Sequence, residues 1–367
     1  MVTKEAVLGA LRGVLEPDLN KDIVALDLVD DISIDGFNVS FTVRVSNPAM
    51  HSKKRMQEAC EFAIERGLGA EFKAQVTIKT IEKNQDDPAL RKVLPGVKNI
   101  VAVASGKGGV GKSTVAANLA VGLAKRGYKV GLIDADVYGP SMPTMLDVVN
   151  EKPGVVEVNG KQMMSPVETY GLKLMSIGFF AEPDQPIVWR GSMATKALNQ
   201  MFSDTYWGEL DYAIIDLPPG TGDVHLTIVQ MLPLTGSVIV STPQEVALAD
   251  ARKGVAMFKL DNINVPVLGI VENMAWFTPE ELPENKYYIF GKDGASRLAE
   301  QLNIPLLGQF PLVQSVREAG DVGRPAILQE DTISADLMNG FLDAFEARIQ
   351  DRNENEAPTR KVEITRS

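Results

Sequence analysis

Two patterns in the sequence predict an α/β fold, with a mostly parallel sheet covered by helices and preceded by a small α+β domain. From Asn99 onward, short β-branched runs that are apolar on both faces alternate with helical stretches, as parallel strands buried between helical layers do. Residues 1–83 follow another rhythm, a hairpin, then a helix, then one more strand. At 367 residues the chain exceeds one average domain of about 150. Its 45% hydrophobic and 23% charged side chains are those of packed globular cores, which excludes disorder and low complexity for most of its length.

In the leading domain, Asp22 to Val45 alternates apolar and polar residues on both sides of Asp35-Gly36. That dipeptide suits the positive φ angles of a tight turn, so two paired strands are expected. After Ser46-Asn47-Pro48, apolar residues recur at helical spacing at Met56, Ala59, Cys60, Ala63 and Ile64, with Ser52 as the N-cap and Gly67 as the stop. Ala74 to Ile81 supplies a further strand. Residues 84–98 are polar, hold Pro88, Pro95 and Gly96 and show no sustained period, which predicts a linker. In the larger domain, 99–350, strands are expected at Ile100 to Ala104, Val130 to Asp134, Tyr212 to Asp216, Ser237 to Ser241 and Val267 to Val271. Helices are expected at Lys112 to Lys125, Gly191 to Phe202, Glu245 to Leu260 and Lys292 to Leu302. A last amphipathic helix, Ser334 to Ile349, precedes a polar tail over 351–367 that is expected to be disordered.

The charge balance narrows the partners. With 37 basic and 48 acidic side chains the net charge is −11, which argues against broad binding to nucleic acid or to an anionic membrane. No run approaches the roughly 18 apolar residues of a membrane span. The start, Met1 to Ala10, carries Lys4 and Glu5 and no apolar secretory core, so a cytoplasmic location is expected. One cysteine, Cys60, rules out an intramolecular disulfide and any metal site built from several cysteines of one chain.

Gly106-Lys107-Gly108-Gly109-Val110-Gly111-Lys112-Ser113 fits G-x-x-x-x-G-K-[ST] and sits between an apolar strand and a helix, where that motif belongs. Such glycines let backbone N–H groups turn inward around phosphates. The following helix presents its positive end, Lys112 adds a point charge for the β and γ phosphates, and Ser113 offers a hydroxyl to Mg²⁺. A P-loop NTPase fold and ATP with Mg²⁺ are therefore expected.

Carboxylates complete this site. Asp216 ends an apolar strand and is followed by Leu217-Pro218-Pro219-Gly220-Thr221-Gly222. A strand's carboxyl end beside the phosphate loop is where Mg²⁺ needs an anion, and Gly220 can offer its N–H to the γ-phosphate and move once that phosphate leaves. Asp134 and Asp136 end another strand; one can orient the attacking water while the other supports the metal. Taken singly, each could equally be a polar strand terminus.

The string Lys107 to Thr114 resembles the deviant phosphate loop of the MinD/ParA class of ATPases. In that class the lysine at the Lys107 position reaches across a dimer to the nucleotide of the other subunit. The resemblance thus implies an ATP-dependent homodimer, although a solvated loop lysine is the alternative for Lys107. It also implies that Asp136 positions the water and that Asn273, after the strand Leu268 to Val271, hydrogen-bonds adenine, with Phe310-Pro311-Leu312-Val313 adding contacts. A turn-forming role is the alternative for Asn273.

Further strings are similar to the Mrp/ApbC family of iron–sulfur cluster carrier ATPases: Leu94-Pro95-Gly96-Val97, Asp136-Val137-Tyr138-Gly139-Pro140-Ser141, Trp189-Arg190-Gly191, Asp216 to Asp223, and Val271-Glu272-Asn273-Met274. The first domain, with Glu16-Pro17-Asp18 and Asp22-Ile23-Val24, is similar to the small domain of iron–sulfur assembly factors. The resemblance implies cluster binding and transfer to apoprotein clients; an ATP-gated scaffold that never holds iron is the alternative. The family commonly carries C-x-x-C soon after Glu-Asn-Met, whereas this chain reads Met274-Ala275-Trp276-Phe277-Thr278-Pro279-Glu280-Glu281. Where relatives often have a cysteine in the first domain, it reads Asn47-Pro48-Ala49-Met50-His51. Cys60 falls on the apolar face of its helix and reads as a small buried hydrophobe, and even two copies per dimer could not supply four-cysteine ligation. His51 and His225 read as surface or helix-capping residues rather than ligands.

Overall fold

The structure, a computed structural model, describes the chain except for residues 1, 17–20, 46–49, 81–92, 95, 181–190, 261–262, 280, 283, 330–331 and 357–367. Pro17, Asp18, Asn47-Pro48-Ala49, Trp189-Arg190, Glu280 and most of the linker therefore lie outside the described residues. One compact unit comprises Met1–Asp87 with Gln350–Pro358, and the other Pro88–Ile349 with Thr359–Ser367.

The first unit begins with α1 (Lys4–Leu11), capped by Thr3, whose hydroxyl accepts the Ala6 N–H at 3.3 Å. A short antiparallel pair follows, β1 (Leu15–Glu16) and β2 (Lys21–Asp22). The strand expected from Asp22 starts only at Val29, because the Asp22 carboxylate captures the N–H groups of Val24 and Ala25 at 2.8 and 3.0 Å and bends the chain. Then β3 (Val29–Asp35) and β4 (Asn38–Val45) pair antiparallel around Gly36 at φ 59°, and β5 (Lys73–Thr80) joins β4 in parallel across α2 (Met50–Leu68). Since α2 begins at Met50 and ends at Leu68, Ser52 and Gly67 lie inside it rather than at its ends. Alternate residues of β4, namely Val39, Phe41, Val43 and Val45, meet Val7 and Leu11 of α1 and Met56, Cys60 and Ile64 of α2 in the core.

In the second unit β6 (Val97–Ser105) starts two residues before Asn99, so Val97 and Lys98 are strand rather than linker. The chain continues through α3 (Lys112–Lys125), β7 (Val130–Asp134), the single-turn α4 (Met142–Met145), β8 (Gly154–Val158), β9 (Lys161–Ser165), β10 (Val167–Thr169), β11 (Leu172–Ser176), α5 (Gly191–Ser203), β12 (Leu210–Asp216) and α6 (Asp223–Met231). It ends with β13 (Gly236–Ser241), α7 (Glu245–Phe258), β14 (Val267–Glu272), α8 (Gly294–Leu302), β15 (Leu306–Gln309), α9 (Gln314–Asp321) and α10 (Ile333–Asn355). Among the described residues eight strands form one sheet in the order β10-β11-β7-β12-β6-β13-β14-β15, parallel except for β10.

Helices cover both faces, as the doubly apolar strands require. Ile100, Ala102 and Ala104 of β6 face a core shared with α5, α6, α7 and α8, while Val101 and Val103 face α3 and α10. Helix α10 continues past Ile349 through Asn355, where a tail was expected, supported by side-chain pairs Gln350–Glu354 at 2.9 Å and Asn355–Asp351 at 2.8 Å. Among the described residues no helix is long and apolar enough to cross a membrane.

Candidate active site

The strand order makes the site. β6 has β12 on one side and β13 on the other, and the chain departs from its carboxyl end into α3; such a switch point is where open α/β sheets bind ligands. Registers bring the carboxylates there. Asp216 of β12 pairs with Val103 of β6 and with Asp134 of β7, and Asp134 pairs in turn with Ser176 of β11.

The loop from Gly106 to Gly111 turns from β6 into α3 through positive φ angles at Gly109 (78°) and Gly111 (80°). A Cβ on Gly106 would run into the Asp250 backbone of α7, and one on Gly111 into the Asn273 side chain, so Gly106 demands glycine for space and Gly111 for angle as well. Val110 is buried beneath the loop, Gly108 is exposed, and Ser113 and Thr114 are half-buried at the start of α3.

Lys112, 6% exposed, donates to Asp216 Oδ1 at 2.6 Å and lies 3.6 Å from Asp136 Oδ2. Ser113 Oγ donates to Asp216 Oδ2 at 2.6 Å, so both Asp216 oxygens are held by the phosphate-loop residues expected to need them. Asp136 uses its other oxygen to accept the N–H groups of Tyr138 (3.1 Å) and Gly139 (3.3 Å), which fixes the carboxylate while leaving Oδ2 turned to Lys112. Asp134 stands one layer behind. Its oxygens accept Met142 N–H at 3.1 Å, Ser176 Oγ at 2.9 Å and Asp136 N–H at 3.3 Å. Burial first, and then the charge of Asp216, raise the Asp134 carboxyl well above the usual range, and burial likewise raises Asp216 against the pull of Lys112. Two carboxylates, Asp216 and Asp136, thus lie beside one ammonium with Asp134 behind them, and Ser113 Oγ and Asp216 present hard oxygen donors of the kind a divalent cation takes.

Other expected residues are engaged locally. Gly220, at φ 87°, donates its N–H to Ser105 O at 2.9 Å, and Asn273 Nδ2 donates to Val110 O at 2.9 Å. Pro311 is buried beside that asparagine's strand, since Phe310 N–H bonds Glu272 O and Ala275 N–H bonds Phe310 O, both at 2.9 Å. Lys107 accepts Ser105 Oγ at its carbonyl (2.9 Å), and its side chain forms no ion pair among the described residues.

Two residues escaped the sequence reading. Ser176 reaches Asp134 only through the β11–β7 pairing, and the short run Leu172–Ser176 carries too little apolar signal to stand out as a strand. His225 is not a surface or capping residue: it lies 2% exposed in α6, with Nδ1 3.2 Å from Pro218 O. Its apolar company at Ile228 and Val229 was the available signal. Cys60 is buried as expected, its thiol pushed up to about 12 by burial. Among the described residues no group of three or more His, Cys, Asp or Glu side chains could hold a metal ion.

Known proteins resemble nearly the whole chain. Residues 96–344 match the family described as NUBPL iron-transfer P-loop NTPase, and residues 4–78 match that described as iron-sulfur cluster assembly protein. A protein of Synechocystis sp. named iron-sulfur cluster carrier protein is 43% identical over 350 residues, 95% of this chain and 98% of its own. One of the same name from Escherichia coli K12 is 42% identical over 327 residues, 88% of this chain and 85% of its own. Among solved structures, a nucleotide-binding protein from Archaeoglobus fulgidus in complex with ADP is 40% identical, with a TM-score of 0.57 over 65% of this chain and 91% of that one.

Proposed function

The chain belongs to the NUBPL iron-transfer P-loop NTPase family, and from that membership we propose that it is a Mg²⁺-dependent ATPase that works as a homodimer in iron–sulfur cluster delivery. The buried contact of Lys112 and Ser113 with the two oxygens of Asp216 carries the proposal, because it gathers a phosphate cation and metal-binding oxygens at one strand end.

In this reading the loop N–H groups and the start of α3 hold the phosphates, and Lys112 bridges the β and γ oxygens. Ser113 and Asp216, backed by Asp134, would hold Mg²⁺, which when bound neutralises charge on the transferring phosphoryl group. Asp136, locked through Oδ1, turns Oδ2 toward the attacking water. Gly220 exchanges Ser105 O for the γ-phosphate, so its φ of 87° allows a loop that reports whether that phosphate is present. Asn273 and the Phe310-Pro311 turn frame the base. Lys107, at the loop's rim, completes the site of the other subunit.

Iron enters as cargo, and the donor set of this chain does not fit four-cysteine ligation. Its one cysteine is fully buried and protonated at neutral pH, and a dimer would supply two. The reading supported best is therefore an ATP-gated adaptor acting on cluster donors or apoprotein clients; direct carriage is favoured by the name its relatives bear.

Phosphate release from Mg-ATP, measured for the wild type against Lys112→Ala, tests the ATPase; equal rates would refute it. Anaerobic reconstitution read by visible absorption separates the two iron readings. Cluster bands that pass to an acceptor apoprotein establish carriage, whereas a colourless protein that still stimulates transfer between donor and client establishes the adaptor.

A further inference from the structure

Between Asp216 and Gly222 the chain crosses the nucleotide site on its way from β12 to α6. Its ends are anchored by hydrogen bonds: Asp216 to Lys112 and Ser113, Leu217 N–H to Val103 O at 3.1 Å, and Gly220 N–H to Ser105 O at 2.9 Å. Between these anchors stand Pro218 and Pro219, which have no N–H, so only carbonyl oxygens remain by which the middle of the loop can be held. His225 takes the first of them. Its Nδ1 lies 3.2 Å from Pro218 O, and since a carbonyl only accepts, the ring proton must sit on Nδ1.

We propose that His225 is a positioning residue for hydrolysis, a neutral imidazole whose Nδ1–H latches the Pro218 carbonyl and so sets the height of Gly220 and Asp216 over the phosphates. Two observations set it apart from a core residue that happens to be histidine. Its Nε2 is buried with no hydrogen-bond partner among the described residues, a burden that leucine or phenylalanine at this place would not carry. Its ring is also held edge-on by Phe258 of α7, with centroids 5.8 Å apart, and α7 is the helix whose Asp250 backbone crowds Gly106. One helix thus fixes both the phosphate loop and the imidazole that holds the loop facing it. Burial keeps the ring neutral, its pKa pushed down to about 4.

The inference rests on the ATPase reading, and the experiment separates the two. In the full chain, His225→Leu removes the donor, His225→Asn returns an N–H near the Nδ1 position, and His225→Gln offers one only near Nε2. ATP kinetics should show kcat lowered roughly tenfold to a hundredfold in His225→Leu and His225→Gln at a nearly unchanged KM, with recovery in His225→Asn. Hydrogen exchange at the Leu217 and Gly220 amides, which requires no turnover, should be faster in His225→Leu and His225→Gln than in the wild type or His225→Asn. Exchange at those amides indifferent to the substitution overturns the latch, even should wild-type protein release no phosphate. Kinetics in which asparagine is no better than leucine overturn it too. Should His225→Leu fail to fold, the asparagine and glutamine pair decides by the same two measurements.

Discussion

Lys112 touches two carboxylates, so losing its ammonium removes a phosphate ligand and leaves buried negative charge behind. Charge-assisted hydrogen bonds contribute about 1.5–3 kcal/mol each, and Lys112→Ala should weaken binding of a fluorescent ATP analogue on the order of 100-fold. Lys107→Ala should leave that affinity unchanged and cut turnover by roughly 10³, the scale of a cation supplied in trans; wild-type rates would exclude a dimer-dependent mechanism. Asp136→Ala should yield an ATP-bound dimer that persists on size exclusion. The phosphate loop and Asp216 were legible because their spacing is local and their strand contexts strong. Ser176 was not, since 42 positions separate it from the Asp134 oxygen it bonds, and only strand pairing joins them.

Elements followed the same division. The doubly apolar strands β6, β7, β12, β13 and β14 announce themselves by composition, whereas β11 and β15, with Lys173 and Gln309 among so few residues, do not. In α10, Met338, Phe341, Leu342, Phe345 and Ile349 form the stripe that seals the α3 face of the sheet. Phe345, fully buried against Tyr212 and Phe341, should cost about 3–5 kcal/mol on replacement by alanine, read as a lowered denaturant midpoint. Helix α6 carries a pH dependence. The His225 pKa is depressed from 6.5 to about 4 by burial, with the charge of Lys112 acting in the same sense, so below pH 6.5 the unfolded chain takes up a proton that the folded one refuses. The His225 contribution to stability should be full above pH 6.5 and fall by on the order of 3 kcal/mol toward pH 4, while the raised Asp134 carboxyl titrates in the opposite sense, so the His225 part is read as the difference between the wild-type and His225→Asn Tm–pH profiles.

For the molecule as a whole, charge and composition set the class, while the division of labour between its units has to be measured. Leu94 and Val97 belong to the core of the larger unit, so a shortened chain must keep them. Removing the residues before Leu94 should spare ATP turnover and abolish capture of assembly partners. The buried place of Cys60 has one more consequence. Its sulfur, 3.9 Å from Met56 Sδ and sealed from solvent, is the only thiol the polypeptide offers to peroxide or to an alkylating reagent. ATP turnover, in the proposed reading, should therefore survive iodoacetamide undiminished, so that an alkylating reagent can silence the thiols of any partner while leaving this chain at work.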